Sequence, residues 1–229
     1  MLTVAGLVPF TTIDFPGLLA AVLFLRGCPL KCPFCHNYAL QTDGTETDIS
    51  PDDIHTFLVE RRGRLDGIVL SGGEPLKHND IIKLAQEIKE MGYRVGLHTS
   101  GVYPDRLKAM LPVLDWVGLD IKAPWHKYDL LTGRAHMDGP VRESLDILLK
   151  SGIAMETRTT ADPRFLTKDD ILTIGKTLAS QGVQYYVLQH YRTFDGDVNP
   201  PDESAIQCFF KDQVLQDTLH ALFPRFAVR

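Results

Sequence analysis

Apolar positions along this chain fall into short continuous runs, separated by stretches in which they recur every three or four residues. Leu18–Leu25 is an unbroken apolar run, the pattern of a strand buried on both faces. Next, Ser50 reads as a helix N-cap, with Pro51 at the first helical position, Asp53 in the first turn and Ile54, Phe57 and Leu58 on one face. Gly67–Leu70 reads as a strand. Ile81, Leu84, Ala85 and Ile88 recur at helical spacing, and Gly92 stands where that helix should stop. The alternation continues with a strand over Tyr93–Leu97, a helix over Pro104–Leu111 and a strand over Trp116–Ile121. Val141, Leu145, Leu148 and Leu149 mark a helix ending near Gly152, followed by a strand over Ile153–Thr159. Thr167 caps a helix through Ser180, stopped by Gly182, and Val183–Leu188 is the last strand. The remaining tail predicts one helix around Glu203–Leu222, and the polar stretch Gln41–Ser50 predicts a surface loop.

Strands and helices alternating at roughly 30-residue intervals predict a parallel sheet with right-handed crossovers. Six such units, two short of a closed eightfold barrel, predict a partial (β/α)6 TIM-like barrel, with a flat doubly wound sheet as the alternative. The expected organisation is one domain over 1–229, with a core over about 18–190 and a helical tail over about 191–229. Polar residues collect where each strand should end: Cys28 onward, Ser71-Gly72-Gly73-Glu74, His98-Thr99-Ser100, Asp120 and Lys122, Arg158, and Gln189-His190. In parallel α/β folds those ends form the ligand-binding mouth.

Composition narrows the function. Of 229 residues, 44% are hydrophobic and 23% charged, with a net charge of −5, which argues against nucleic acid as a partner. The longest apolar run is too short to span a bilayer and Met1–Phe10 lacks a charged leader region, so no membrane partner and a cytoplasmic location are expected. Four cysteines are too few for a disulfide framework in 229 residues, and three of them crowd into eight positions, pointing to metal or redox chemistry.

Those three are Cys28, Cys32 and Cys35, in the run Gly27-Cys28-Pro29-Leu30-Lys31-Cys32-Pro33-Phe34-Cys35-His36-Asn37. In a loop, thiols at i, i+4 and i+7 can converge on one small object. Iron–sulfur cubanes normally take four cysteines; three would leave one iron with an open position for a substrate or cofactor. Two other readings stand beside this. Free cysteines are often packed as small hydrophobes, and zinc held by the three thiolates and His36 would make this a non-catalytic interaction module. Cys208, beside Phe209 and Phe210, reads as a packed thiol.

The loop resembles the Cys-x3-Cys-x2-Cys signature of the radical S-adenosylmethionine (SAM) superfamily, including aromatic Phe34 before the third cysteine. Thr11-Thr12-Ile13-Asp14-Phe15-Pro16-Gly17 resembles the lead-in of enzymes that activate glycyl-radical proteins. Cys35-His36-Asn37, Ser71-Gly72-Gly73-Glu74-Pro75, Asp120-Ile121-Lys122-Ala123-Pro124 and Val187-Leu188-Gln189 resemble the activating proteins of anaerobic ribonucleoside-triphosphate reductase. The resemblance implies a [4Fe–4S] cluster on Cys28, Cys32 and Cys35, with S-adenosyl-L-methionine chelating the open iron through its amine and carboxylate. It further implies SAM contacts from Phe34, Gly72, Gly73, Glu74, His98, Ser100, Asp120, Lys122, Arg158 and His190, and no protein acid or base in the chemistry. At His98 relatives often carry Asp, and at Ser100 Asn. The implied reaction is reductive cleavage of SAM to a 5′-deoxyadenosyl radical. The implied partners are a glycyl-radical enzyme, anaerobic ribonucleotide reductase above all, and flavodoxin or ferredoxin as electron donor. A radical SAM enzyme acting on a small heterocycle is the alternative.

Overall fold

The structure, a computed structural model, describes residues 4–42, 49–194 and 197–229. Most of the loop expected over Gln41–Ser50 lies outside the described residues. Eight strands form one sheet in strict chain order: β1 (Val4–Thr11), β2 (Ala20–Leu25), β3 (Gly67–Gly72), β4 (Arg94–Thr99), β5 (Trp116–Asp120), β6 (Ala154–Ala161), β7 (Tyr185–His190) and β8 (Arg225–Val228). β1 pairs antiparallel with β2, and every later pair is parallel. The helices are α1 (Pro51–Arg61), α2 (Ile81–Glu90), α3 (Pro104–Met110), α4 (Tyr128–Thr132), α5 (Asp138–Ser151), α6 (Lys168–Ser180), α7 (Glu203–Gln207) and α8 (Gln213–Leu222). A doubly wound sheet reverses its strand order at a switch point. This order never reverses, so the barrel-like winding holds and the flat alternative fails.

Local chemistry accounts for the elements. The Ser50 hydroxyl accepts the Asp53 amide at the start of α1, and Thr167 and Asp170 form a reciprocal capping box on α6. β2–β5 and β7 each carry Val, Ile or Leu, and successive side chains alternate between two destinations. Ala21, Leu23, Leu25, Ile68, Leu70, Val95, Leu97, Val117 and Leu119 face the helices in the main core. Ala20, Val22, Val69 and Trp116 turn to the opposite, concave side, where they close around Phe15. Phe15, from the β1–β2 connection, stacks on Trp116 with ring centroids 5.6 Å apart. It fills the space that side chains at Gly67 and Gly96 would otherwise take. The base of the sheet's concave side is thus plugged by one aromatic ring.

Two expectations need correction. The sheet has two strands beyond the six expected. β1 was missed because Gly6 and Pro9 interrupt it and three of its 8 residues are exposed, as suits an edge strand; β8 spans only 4 residues. The tail is also not a single helix: Asp212 caps a second helix by accepting the Leu215 amide at 3.0 Å, and the chain then returns to the sheet as β8. Cys208 sits half-buried at the end of α7.

Candidate active site

The carboxyl ends of the strands surround a cavity of about 310 Å³ whose wall includes Cys28, Cys32, Phe34, Cys35, Ser71, Gly72, Gly73, His98, Ser100, Asp120, Lys122 and Arg158. The cysteines ride on the loop between β2 and α1. That loop is zipped to its surroundings through the backbone: the Gly27 amide donates to the Leu40 carbonyl at 2.6 Å, Cys28 to Gln41 at 3.2 Å and Lys31 to Thr132 at 2.8 Å. The Asn37 side-chain amide reaches the Gly72 carbonyl at 3.3 Å, tying the cysteine loop to the end of β3.

The Gly72–Gly73 pair does more than leave room for a ligand. Gly72 has φ +128°, and a Cβ there would lie 2.1 Å from the Leu25 carbonyl oxygen; one on Gly73 would lie 2.4 Å from that of Gly27. The missing side chains let this loop lie flat against the base of the cysteine loop, with Gly73 donating to Leu25 at 2.8 Å and Glu74 to Gly27 at 2.9 Å. Glu74 is fully buried behind the cavity wall. Its carboxylate accepts from the Leu76 amide (3.0 Å), the Thr99 hydroxyl (2.8 Å), and the Ser100 amide (2.8 Å) and hydroxyl (2.5 Å). Burial pushes its pKa up, and these donors pull the other way. Glu74 therefore orders the turn after β3 against that after β4, and Ser100 spends its polar atoms on Glu74.

The opposite wall carries charge. Arg158 on β6 pairs with Asp120 on β5 at 2.7 Å, and Lys122 approaches the other Asp120 oxygen at 3.4 Å. Burial opposes ionisation of Asp120, but Arg158 and Lys122 outweigh it and hold its pKa at about 2. Burial opposes the charge on Lys122, but Asp120 outweighs it and raises the Lys122 pKa, keeping it charged. Gly118 makes room for the guanidinium: a Cβ there would fall 2.8 Å from the Arg158 Cζ. Phe34 is buried against Phe165, with centroids 6.1 Å apart.

A smaller cavity of about 180 Å³ adjoins the first, sharing Asp14, His36, His98, Arg158, Thr160 and Gln189 and adding Ile13, His190, Arg192 and Arg229. The residues it adds come from the β1–β2 connection, the end of β7 and the segments just after β7 and β8, near the sheet's outermost strands, β1 and β8. His190 lies here rather than on the larger cavity, its ring stacked on Phe210 at 3.5 Å. Asp14, Thr160 and Arg229 were not singled out from the sequence. Arg229 escaped notice because β8 did; its guanidinium pairs with buried Glu156 at 2.7 Å and donates to the Tyr185 hydroxyl at 2.9 Å. Asp14 and Phe15 lay in the quoted lead-in, whose signal was positional rather than chemical.

The donor set suits an iron–sulfur cluster better than a single ion. Cys28, Cys32 and Cys35 are free thiols on one cavity. Among the described residues, however, no three His, Cys, Asp or Glu side chains are grouped as one metal ion requires, and a cubane spreads its ligands over separate irons. Burial, reinforced by Glu74, pushes the Cys28 thiol up to about 12, and burial raises Cys32 as well. Without metal Cys28 and Cys32 are protonated thiols, and a bound iron would take the place of the proton. His36, the fourth zinc ligand of the rival reading, accepts the Arg192 amide at Nε2 (3.3 Å) and packs against Tyr191 at 5.5 Å.

Comparison with known proteins agrees. The family model of the radical SAM superfamily matches residues 22–164. A protein of Methanocaldococcus jannaschii named as a glycyl-radical enzyme activating enzyme is 31% identical over 203 residues, 84% of this chain and 81% of its own. The pyruvate formate-lyase-activating enzyme of Listeria monocytogenes is 31% identical over 123 residues, 48% of this chain and 49% of its own. Among solved structures, Streptococcus suis SuiB bound to its precursor peptide SuiA superposes with TM-score 0.66 at 16% identity, over 89% of this chain and 47% of SuiB. Escherichia coli QueE superposes with TM-score 0.56 at 16% identity, over 100% of this chain and 93% of its own. At such identities the superpositions speak for the fold alone, and the chain spans about half the length of SuiB and of the Listeria enzyme.

This chain belongs to the radical SAM superfamily. Its cofactors are accordingly a [4Fe–4S] cluster and SAM. Within the superfamily its sequence relatives group it with the glycyl-radical enzyme activating enzymes.

Proposed function

We propose that this chain, as a single domain in the cytoplasm, installs a glycyl radical on a separate enzyme of the anaerobic ribonucleotide reductase type. When bound, the reduced cluster and SAM supply a 5′-deoxyadenosyl radical, the species that abstracts hydrogen. The chain's own residues bind, orient and exclude. Cys28, Cys32 and Cys35 hold the cluster, and the Gly72–Glu74 turn fixes the loop that carries them. Lys122 and Arg158 offer cations to the SAM carboxylate. The plug formed by Phe15 and Trp116 closes the base, so the reacting groups sit in a walled site rather than a through-channel. No side chain is assigned as acid or base.

The observation that carries this reading is the address of the thiols: three free cysteines on a cavity that runs on toward the gap between β1 and β8, the sheet's outermost strands, which do not pair with each other. Such a gap supports entry of a glycine-bearing polypeptide segment, and reduced flavodoxin or ferredoxin suits the electron supply. Anaerobic reconstitution tests the reading: about four irons per chain, dithionite-dependent 5′-deoxyadenosine, and a glycyl electron-paramagnetic-resonance doublet on the incubated partner are expected. Cys32→Ala should abolish cluster and cleavage, whereas Cys208→Ala should leave both. Stoichiometric zinc without SAM cleavage would defeat the enzyme reading. SAM cleavage driven by a small heterocycle, with no radical formed on any protein, would defeat the activase.

A further inference from the structure

The outer side of the cysteine loop gathers cations. Cys28, Leu30 and Cys32 line the cavity, whereas Lys31 does not and is exposed. The Lys31 amide donates to the Thr132 carbonyl at 2.8 Å, and a Cβ on Gly133 would lie 2.9 Å from the Lys31 Cβ, so the end of α4 lies directly against it. Exposed Arg134 reaches back from there and donates to the Pro29 carbonyl, beside Cys28, at 3.3 Å. Arg106, on α3, donates to the Leu76 carbonyl at 2.6 Å and also to that of Lys77, and its guanidinium lies 4.9 Å from the centre of the Tyr103 ring. Burial, then Glu74, pushes the Tyr103 phenol's pKa up, while Arg106, Arg134 and Lys77 pull it down. Both guanidiniums therefore lie around one ring.

The two arginines are held by backbone carbonyls and a ring rather than by carboxylates, and among the described residues Lys31, Arg106 and Arg134 form no ion pair. The exposed acids nearest in sequence are engaged elsewhere or unpaired. Asp129 accepts the His136 and Met137 amides at 2.9 and 3.2 Å, Asp138 pairs with Arg142 at 3.4 Å, and Asp105 forms no ion pair with a described residue. Glu74 is sealed behind the wall. In a chain of net charge −5, three cations without a carboxylate partner on the flank of the thiol loop favour a negative surface there. Resting on the function proposed above, we infer that this face docks the reductant: an acidic one-electron carrier protein whose carboxylates meet Lys31, Arg106 and Arg134. The carrier loses one electron and the cluster gains it; no bond forms or breaks. Both guanidiniums are already fixed, which lowers the ordering cost of docking. The patch belongs to the connections after β2, β4 and β5, so the opening between β1 and β8 stays clear for the glycine-bearing segment.

The test measures binding and turnover anaerobically on cluster-loaded protein, with flavodoxin in one arm, a ferredoxin in the other, and dithionite as the small-molecule control. Arg134→Glu should raise the Kd of the oxidised carrier, read by calorimetry, by about tenfold. The carrier concentration for half-maximal 5′-deoxyadenosine formation should rise by a similar factor. Arg134→Ala should move both the same way by about threefold, and Arg134→Lys, which keeps the charge, should bind like wild type. Added salt should weaken wild-type binding, and dithionite-driven cleavage should be the same in every variant. Arg94→Glu, an equal change of charge at the amino end of β4, should shift the Kd by less than about twofold. These responses in either arm support the face and identify the carrier. Equal weakening by Arg94→Glu would show a net-charge effect and overturn the inference. Equal loss of carrier-driven and dithionite-driven cleavage in Arg134→Glu would overturn it too, by placing Arg134 in the seating of the loop. So would failure of both carriers to bind wild type while dithionite still drives cleavage, which leaves the cofactor assignment intact. Absence of cleavage with dithionite would sink that assignment, and this inference with it.

Discussion

The plug under the cavity can be tested on stability alone. Phe15 is almost wholly buried, and a Cβ on Gly96 would meet its ring at 3.0 and 3.1 Å and Val69 Cγ2 at 3.2 Å. Phe15→Ala removes a ring from a packed floor and should cost about 3–5 kcal/mol. Gly96→Ala overpacks the same space and should cost about 1–3 kcal/mol in the wild-type background. If Phe15 is the reason for the glycine, Gly96→Ala made on top of Phe15→Ala should cost under about 1 kcal/mol, because only the Val69 contact remains and alanine restricts the unfolded chain. The coupling would then be about 1–2 kcal/mol. Gly67 is the internal control. Its Cβ would meet the Phe15 ring at 3.0 Å but also the Arg94 carbonyl oxygen at 3.1 Å, and removing the ring does not move a backbone carbonyl. Gly67→Ala should therefore stay costly in both backgrounds. Urea unfolding of the apoproteins by far-ultraviolet circular dichroism gives every term. Strict additivity of Phe15→Ala and Gly96→Ala would refute the argument.

Three further outcomes follow from the site. Gly72→Ala places a Cβ against the Leu25 backbone at φ +128°, so reconstituted protein should retain much less iron; a full complement would contradict the proposed seating of the loop. Glu74→Gln turns one acceptor into a donor facing the donors of Leu76, Thr99 and Ser100. It should lower stability by about 1–3 kcal/mol, and an unchanged urea midpoint would remove Glu74 from this role. Asp120 has its folded pKa at about 2, below the ordinary 3.8. Its charge should therefore contribute roughly 2 kcal/mol above pH 4 and lose it as pH falls through 2. The stability gap between wild type and Asp120→Asn should narrow toward acid, and a gap that stayed constant would refute the assignment.

The central strand–helix units were legible because their apolar runs and helical periods are long and unbroken. Strand ends were not. β3, β4, β6 and β7 each run two residues past their expected limits, to Gly72, Thr99, Ala161 and His190, because the upper concave face is polar and apolar runs stop where the chemistry begins. β1 and β8 were hidden by interruption and brevity, and with β8 went Arg229 and its pairing with Glu156. The cysteine loop stood out by its spacing, but its resemblance to the radical SAM signature, not spacing, set the cluster apart from zinc or packed thiols. What spacing could not show is that Glu74 serves the turns behind the wall, or that Gly72 and Gly73 are needed first by the backbone of Leu25 and Gly27.

The cavity separates two tasks that a motif runs together. The Ser71–Glu74 turn is chiefly architectural: its carboxylate is sealed, its amides hold the cysteine loop, and its charge is kept off the wall. The recognition charge comes from β5 and β6, where two cations share one carboxylate and leave a net positive charge facing the thiols. Lys122 favours the ionised forms of both Cys28 and Cys32, against burial that opposes them. Metal-bound thiolates and a ligand carboxylate are both anions, so the same uncompensated cation favours cluster retention and carboxylate binding together.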